Sequence, residues 1–243
     1  MLIEILLAVI QAATEFLPVS SSGHLALFSN IIEKQDLFFF TVLHLASLFA
    51  VMIFTRKEIF KLISFEKKYK KYWVYLITAS LPAVFFGFIF LDLIETSFSS
   101  FLFLGLAFIF TGTILFLTKY AYKPLKLNFW SSLFIGLFQA LALFPGISRS
   151  GMTISSGLFS GLNKEEAVKF SFLLFVPLSI GAFVLKLGSF YFSYTLLLSF
   201  FICLFLSWFF LNLLYIIVKK GKFWMFSLYC FLIGVVSLWI YFF

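Results

Sequence analysis

The chain has 243 residues, of which 63% are apolar and 12% charged, with 40 phenylalanines and a formal net charge of +8. Soluble domains run at about 45–50% apolar and about 25% charged residues, and no core of this size could hide so much apolar surface from water. A soluble domain, a disordered chain, a secreted disulfide scaffold and a nucleic-acid-binding domain are therefore excluded, and the composition is that of an integral membrane protein.

The chain opens Met1-Leu2-Ile3-Glu4, without the positive n-region or small-residue cleavage site of a signal peptide, so the first helix is expected to remain in the mature protein. Residues 1–32 are apolar but broken from Pro18 to Gly23, which predicts two short helices joined by a polar elbow. Six runs then reach the roughly 20 residues needed to cross a hydrocarbon core about 30 Å thick. They are 36–55, 72–93, 98–118, 167–187, 190–218 and 223–243. A second broken stretch, 129–162, has its elbow from Pro145 to Gly151. Asn163-Lys164-Glu165-Glu166 has capping-box spacing and predicts a helix start. Cys203 and Cys230 sit in apolar runs and read as small core residues.

Charge placement sets the expected topology. Residues 56–71 hold seven Lys or Arg, 119–126 hold three and 219–222 hold three, so thirteen of the eighteen basic residues fall in three short connections. The positive-inside rule places these in the cytoplasm, with 67–71 facing anionic headgroups, whereas the connection at Asp92 and Glu95 carries no basic residue. The crossing count then makes 129–162 a re-entrant hairpin from the cytoplasmic face and 1–32 one from the outer face.

The hairpins resemble each other. A shift of 128 residues aligns Gln11 to Gly23 with Gln139 to Gly151, and six of the thirteen pairs are identical, mostly polar or glycine. The expected fold is thus a single all-α polytopic membrane domain over 1–243. It has six transmembrane helices plus two re-entrant helical hairpins, arranged as an inverted repeat of about 1–118 and 128–243. Discontinuous helices of such repeats meet near the midplane, where binding sites form.

The elbows carry the chemistry. Unpaired backbone at membrane depth is tolerated only in protein or along a wet cavity, and a helix start presents free N–H groups and a positive dipole end to an anion. Both elbows are rich in hydroxyls and glycine: Ser20, Ser21, Ser22 and Gly23 in one, Gly146, Ser148, Ser150 and Gly151 in the other. Arg149 between them suits bidentate binding of a phosphate, with a salt bridge to Glu15 as the structural alternative. Gln11 and Glu15 share one helix face, and their oxygens suit Mg²⁺ or Ca²⁺. His24 follows the first elbow within reach of Ser21 or Ser22, as a general base would. His44, mid-span, either lines the cavity or bonds a neighbouring helix.

These residues match a known pattern. The run Gln11-Ala-Ala-Thr-Glu15-Phe-Leu-Pro-Val-Ser-Ser-Ser-Gly-His24 and the run Pro145-Gly-Ile-Ser-Arg-Ser-Gly151 resemble the two signature motifs of the undecaprenyl-diphosphate phosphatases of the bacitracin-resistance type. The resemblance covers essentially the whole chain. It implies a multi-pass enzyme of the bacterial inner membrane that hydrolyses undecaprenyl diphosphate to the monophosphate and inorganic phosphate. That reaction recycles the lipid carrier for peptidoglycan and confers bacitracin resistance. The resemblance also implies a divalent cation on Gln11 and Glu15, catalytic roles for Glu15, Ser21, His24 and Arg149, membrane lipids as surroundings and a homodimer. Phosphate binding would fall to Ser20, Ser22, Gly146, Ser148, Arg149, Ser150 and Gly151. Ser21 and His24 stay open as alternative nucleophiles, and an inverted-repeat transporter or flippase of the polyprenyl phosphate is the competing function.

Overall fold

The computed structural model describes residues 2–32, 37–64, 67–121, 125–186 and 193–243. Among these residues all regular structure is helical: α1 (Leu2–Phe16), α2 (Ser21–Ile32), α3 (Leu37–Phe54), α4 (Arg56–Ile63), α5 (Lys67–Ile89), α6 (Leu91–Ser97), α7 (Phe101–Leu117), α8 (Phe129–Leu141), α9 (Arg149–Phe159), α10 (Lys164–Lys186), α11 (Tyr194–Lys219) and α12 (Phe226–Phe242). Helices satisfy every backbone group internally, the condition lipid imposes. Their starts carry the expected signals. Ser100 Oγ accepts from Phe103 N at the head of α7, Asn128 and Ser131 form a reciprocal capping box on α8, and Glu166 N donates to Asn163 Oδ1 at the start of α10.

Five stretches are long and apolar enough to cross a membrane: Tyr69–Ile89, Phe101–Tyr120, Lys164–Val184, Tyr194–Lys219 and Phe223–Phe242. A sixth is reached only if α3 and α4, which meet at 77°, count as one span. Large apolar side chains such as Phe88, Phe205 and Leu232 stand exposed along these helices, as lipid-facing residues do. Cys203 and Cys230 are buried and unpaired with each other, as expected of core residues.

Two connections differ from the sequence expectation. The basic segment after the first full span is not a loop: Arg56–Ile63 forms α4, and Lys67 to Lys71 already belong to the first turns of α5. Its charges do not prevent helix formation because Arg56, Lys57 and Lys61 stay exposed while Leu62 is buried, and Lys169 Nζ on α10 pairs with Glu58 Oε1 at 2.9 Å. Likewise the acidic connection at Asp92 and Glu95 is the short helix α6. Lys123, in the second basic connection, and the expected start of a span at Phe190 lie outside the described residues.

The four helices α1, α2, α8 and α9 have 15, 12, 13 and 11 residues, at most about 22 Å at 1.5 Å per residue, and none crosses a hydrocarbon core alone. Helices α1, α2, α3, α5 and α7 begin at residues 2, 21, 37, 67 and 101, and α8, α9, α10, α11 and α12 at 129, 149, 164, 194 and 226, offsets of 125 to 128. The packing exchanges accordingly: α1 lies on α11 and α8 on α5, while α3 faces α10 and α7 faces α12. Enclosed by the longer helices, the elbow residue Val19 and the short-helix residues Phe16 and Ile154 belong to the main apolar core.

The α7–α12 seam depends on backbone contact. A Cβ at Gly234 would lie 2.7 Å from Ile109 Cγ1 and 2.9 Å from the Gly105 carbonyl oxygen, and without a hydrophobic driving force in lipid such close packing is what joins helices. Gly234→Leu is expected to force the helices apart and destabilise the protein by about 1–3 kcal/mol. A lowered midpoint of thermal unfolding in detergent, with Val235→Leu on the lipid face as an unaffected control, checks this.

Candidate active site

The first elbow is residues 17–20. Ser20 has φ +67°, a left-handed conformation uncommon outside glycine, and its polar groups show why it is held there. Its carbonyl accepts from the His24 backbone N–H at 3.1 Å and from His24 Nδ1–H at 2.8 Å. Its Oγ accepts from Gly23 N at 3.2 Å and, across the molecule, from Gly146 N at 3.1 Å. The two elbows therefore touch: a Cβ on Gly23 would sit 2.7 Å from both Cα and N of Gly146.

In the second elbow Gly146 takes φ +88°, which its lack of Cβ permits. Thr111, midway along α7, donates to the Gly146 carbonyl at 2.9 Å and accepts from Ser148 N at 3.2 Å. Ser148 caps α9 by accepting from Gly151 N at 3.1 Å and lies 3.3 Å from the Ser150 hydroxyl. Three hydroxyls thus pair with backbone groups at the two helix breaks.

These pinned elbows bring four side chains from four helices onto one carboxylate. Arg149 Nη2 donates to Glu15 Oε1 at 2.6 Å. Ser21 Oγ donates to Glu15 Oε2 at 2.6 Å, Gln11 Nε2 donates to the same oxygen at 2.9 Å, and His44 Nε2 lies 3.4 Å from it. Ser150 Oγ reaches the Glu15 carbonyl at 3.4 Å. The Arg149 guanidinium also stacks over the Phe175 ring at 4.0 Å, a favourable placement for a cation in an apolar setting. Glu15 and Ser21 are buried, while Arg149, His44 and Ser22 keep part of their surface open, so the polar cluster has one accessible edge.

His24 faces elsewhere. With Nδ1–H committed to Ser20, its Nε2 accepts from Tyr229 Oη–H at 2.8 Å, and the two rings stack at 5.6 Å. Of the residues singled out in the sequence, Gln11, Glu15, Ser21 and Arg149 converge directly. Ser20, Ser22, Gly146, Ser148, Ser150 and Gly151 form the elbows around them, and His24 braces the first elbow against α12. The sequence reading left His44 undecided and missed Thr111, Phe175 and Tyr229. Thr111 carried a signal, a hydroxyl inside an apolar run; Phe175 carried none among so many phenylalanines.

The model of the family described as bacitracin resistance protein BacA matches residues 4–236. The chain belongs to the BacA family. Relatives named undecaprenyl-diphosphatase agree with this. One from Methanococcus maripaludis is 40% identical over 94% of this chain and 96% of its own length. One from Thermosipho africanus is 36% identical over 97% and 98%, and one from Alkaliphilus metalliredigens is 36% identical over 95% and 94%. The BacA match spans both elbows and all the residues of the cluster.

Because Thr111 makes two buried hydrogen bonds to the second elbow, Thr111→Val leaves a carbonyl and an N–H unpaired. The expected cost is about 1–3 kcal/mol per unsatisfied group, seen as a lower unfolding midpoint together with reduced turnover, whereas Thr113→Val on the exposed face of α7 changes neither.

Proposed function

We propose that the protein hydrolyses undecaprenyl diphosphate to undecaprenyl phosphate and inorganic phosphate, returning the lipid carrier to peptidoglycan synthesis and conferring bacitracin resistance. Membership of the BacA family and the names of the relatives support the substrate and the reaction. The observation that carries the chemistry is the Ser21–Glu15–Arg149 arrangement: a hydroxyl donating to a carboxylate that is itself held by a guanidinium. That is a nucleophile, its base and an orienting group in contact.

The terminal phosphate enters at the accessible edge, where Arg149, Ser22 and the N–H groups at the start of α9 receive it. Ser21 Oγ attacks phosphorus as its proton passes to Glu15 Oε2, and the bond to the bridging oxygen breaks to release the lipid monophosphate. Glu15 gives that proton to the departing lipid monophosphate, then takes a proton from a water whose oxygen attacks phosphorus, and returns it to Ser21 Oγ as the bond from phosphorus to Ser21 breaks and inorganic phosphate leaves. Positioning and charge stabilisation carry most of such a reaction. His24, with both ring nitrogens engaged, keeps Ser20 and hence the first elbow in place; the short proton path runs from Ser21 to Glu15.

The donor set fits a divalent cation. Gln11 Oε1 is a fully buried acceptor without a partner among the described residues, and Glu15 Oε2 lies beside the same carboxamide. A cation held by these two oxygens would offset charge on the phosphate.

The fold reading that accompanies this function is an inverted repeat of about 1–118 and 128–243 with six spans and two re-entrant hairpins, in the bacterial cytoplasmic membrane. The common helix offset and exchanged packing support the repeat, and the clustering of basic residues supports a cytoplasmic placement of 56–71, 119–126 and 219–222. The isoprenoid tail lies against the apolar outer faces of the helices. A transporter of the same architecture needs no nucleophile, and neither the family nor the relatives supports one.

Purified protein in detergent with a divalent cation is expected to release phosphate from undecaprenyl diphosphate. Ser21→Ala, Glu15→Gln and Arg149→Lys should each lower kcat by about 10²-fold or more, the scale for removing one transition-state donor. A folded wild type that releases no phosphate overturns the proposal.

A further inference from the structure

His44 stands on α3, part-exposed, with no role in the chemistry described so far. Its Nδ1 lies 2.8 Å from the Phe40 carbonyl oxygen. A carbonyl only accepts, so Nδ1 carries a proton, and in the neutral ring Nε2 presents its lone pair. Nε2 lies 3.4 Å from Glu15 Oε2. Two acceptors facing each other need something electropositive between them.

A third acceptor belongs to the carboxamide that touches the same oxygen. Gln11 Oε1 is wholly buried and has no partner among the described residues, while the nitrogen of the same carboxamide lies 2.9 Å from Glu15 Oε2. The two ends of a carboxamide are nearly equal in shape, so half a turn about its last bond puts Oε1 where Nε2 is. Gln11 Oε1 and His44 Nε2 then both lie beside Glu15 Oε2, at about the 2.9 Å and 3.4 Å of the present contacts. Bonds of about 2.0–2.2 Å at octahedral to tetrahedral angles set neighbouring ligand atoms roughly 3.0–3.5 Å apart, close to the spacings found. The Nδ1–H bond to a backbone carbonyl is the usual support of a metal-bound imidazole. The side chain of His44 is 34% exposed, which leaves room for water or a phosphate oxygen on the open side.

We propose that His44 Nε2 is a third protein ligand, beside Gln11 Oε1 and Glu15 Oε2, of the divalent cation that works at this site. The inference rests on the cation reading given above and adds a nitrogen donor to an oxygen pair. Imidazole is a poor ligand for Mg²⁺ or Ca²⁺ and a good one for later first-row ions, so the site binds Mn²⁺ or Co²⁺ more tightly than Ca²⁺. Among the described residues no three His, Cys, Asp or Glu side chains gather for a metal; here the third ligand is an amide. Binding is accordingly weaker than at a structural zinc centre. Arg149, on the far oxygen of Glu15, repels the cation until a phosphate lies between them.

Tag-free protein in detergent, loaded with Mn²⁺ and without substrate, provides the test by pulsed electron paramagnetic resonance. The expected result is nitrogen modulation of a directly bound imidazole, changing from the ¹⁴N to the ¹⁵N pattern in protein labelled with ¹⁵N-histidine. His44→Gln should remove that modulation and weaken Mn²⁺ binding by about tenfold or more, bringing Mn²⁺ and Ca²⁺ affinities together, while His24→Gln retains the modulation. Labelling leaves the fold untouched, so a poorly folded variant does not blunt the test. Mn²⁺ bound without histidine nitrogen overturns the role of His44 and leaves the cation reading standing, as it would if a second proton on the ring bridges His44 and Glu15. No Mn²⁺ bound at all overturns both, whereas the phosphatase reading is decided separately by phosphate release.

Discussion

A carboxylate and a guanidinium meet 2.6 Å apart at the broken helices of an otherwise apolar molecule, and the rest of the architecture is organised around that contact. Either charge alone would be costly at this depth, and removing one partner of a buried pair typically costs about 3–5 kcal/mol because the other is left uncompensated. Glu15 is anchored on α1 and Arg149 on the first turn of α9, so the pair forms only if two elbows come together. The elbows in turn expose backbone groups that lipid cannot satisfy. Ser20, Thr111 and Ser148 answer that need, and Gly23 and Gly146 allow the closest approach.

The internal correspondence makes the division of labour visible. Under the shift of 128 residues Gln11 matches Gln139, but Glu15 matches Leu143, Arg149 matches Ser21 and His44 matches Phe172. The two glutamines share a helix position and differ in use: Gln139 donates to the Ala79 carbonyl on α5, while Gln11 donates to Glu15. One half of the chain supplies the carboxylate and the Ser21 hydroxyl, the other the guanidinium. Neither half alone holds a neutral site, which ties the function to the packing between them.

Much of this was legible in the sequence. Proline, glycine and serine clusters marked both elbows within a few residues, the long apolar runs marked the spans, and isolation in apolar surroundings marked Glu15 and Arg149 as buried charges, although their contact stood only as the alternative to phosphate binding. What could not be read was the rotation of helices. In a helix such as α7, apolar on every side, periodicity does not say which face turns inward, so Thr111 gave a hydroxyl without a direction. The same limit governed the histidines: His24 lies in the motif but turns toward Tyr229, whereas His44, far from it in sequence, turns toward Glu15. The basic run at 56–71 showed its charge and not its helix α4, because charge and amphipathic spacing coexist there.

In the mechanism proposed above, the pairing also accounts for a single carboxylate serving first as a partner and then as a base. Without substrate, Arg149 on one oxygen and Ser21 on the other keep Glu15 satisfied as an anion. An arriving phosphate competes for the guanidinium, since a doubly charged group with several oxygens offers Arg149 more than one carboxylate oxygen does. As Arg149 turns toward it, Glu15 holds its charge with one donor fewer and attracts the Ser21 proton more strongly. The hydroxyl thus loses its proton most readily when a phosphorus atom stands before it, and water arriving without substrate meets a base still held by its arginine. The contact that makes two buried charges tolerable in the membrane is, on this argument, also what ties the nucleophile's activation to the presence of its target.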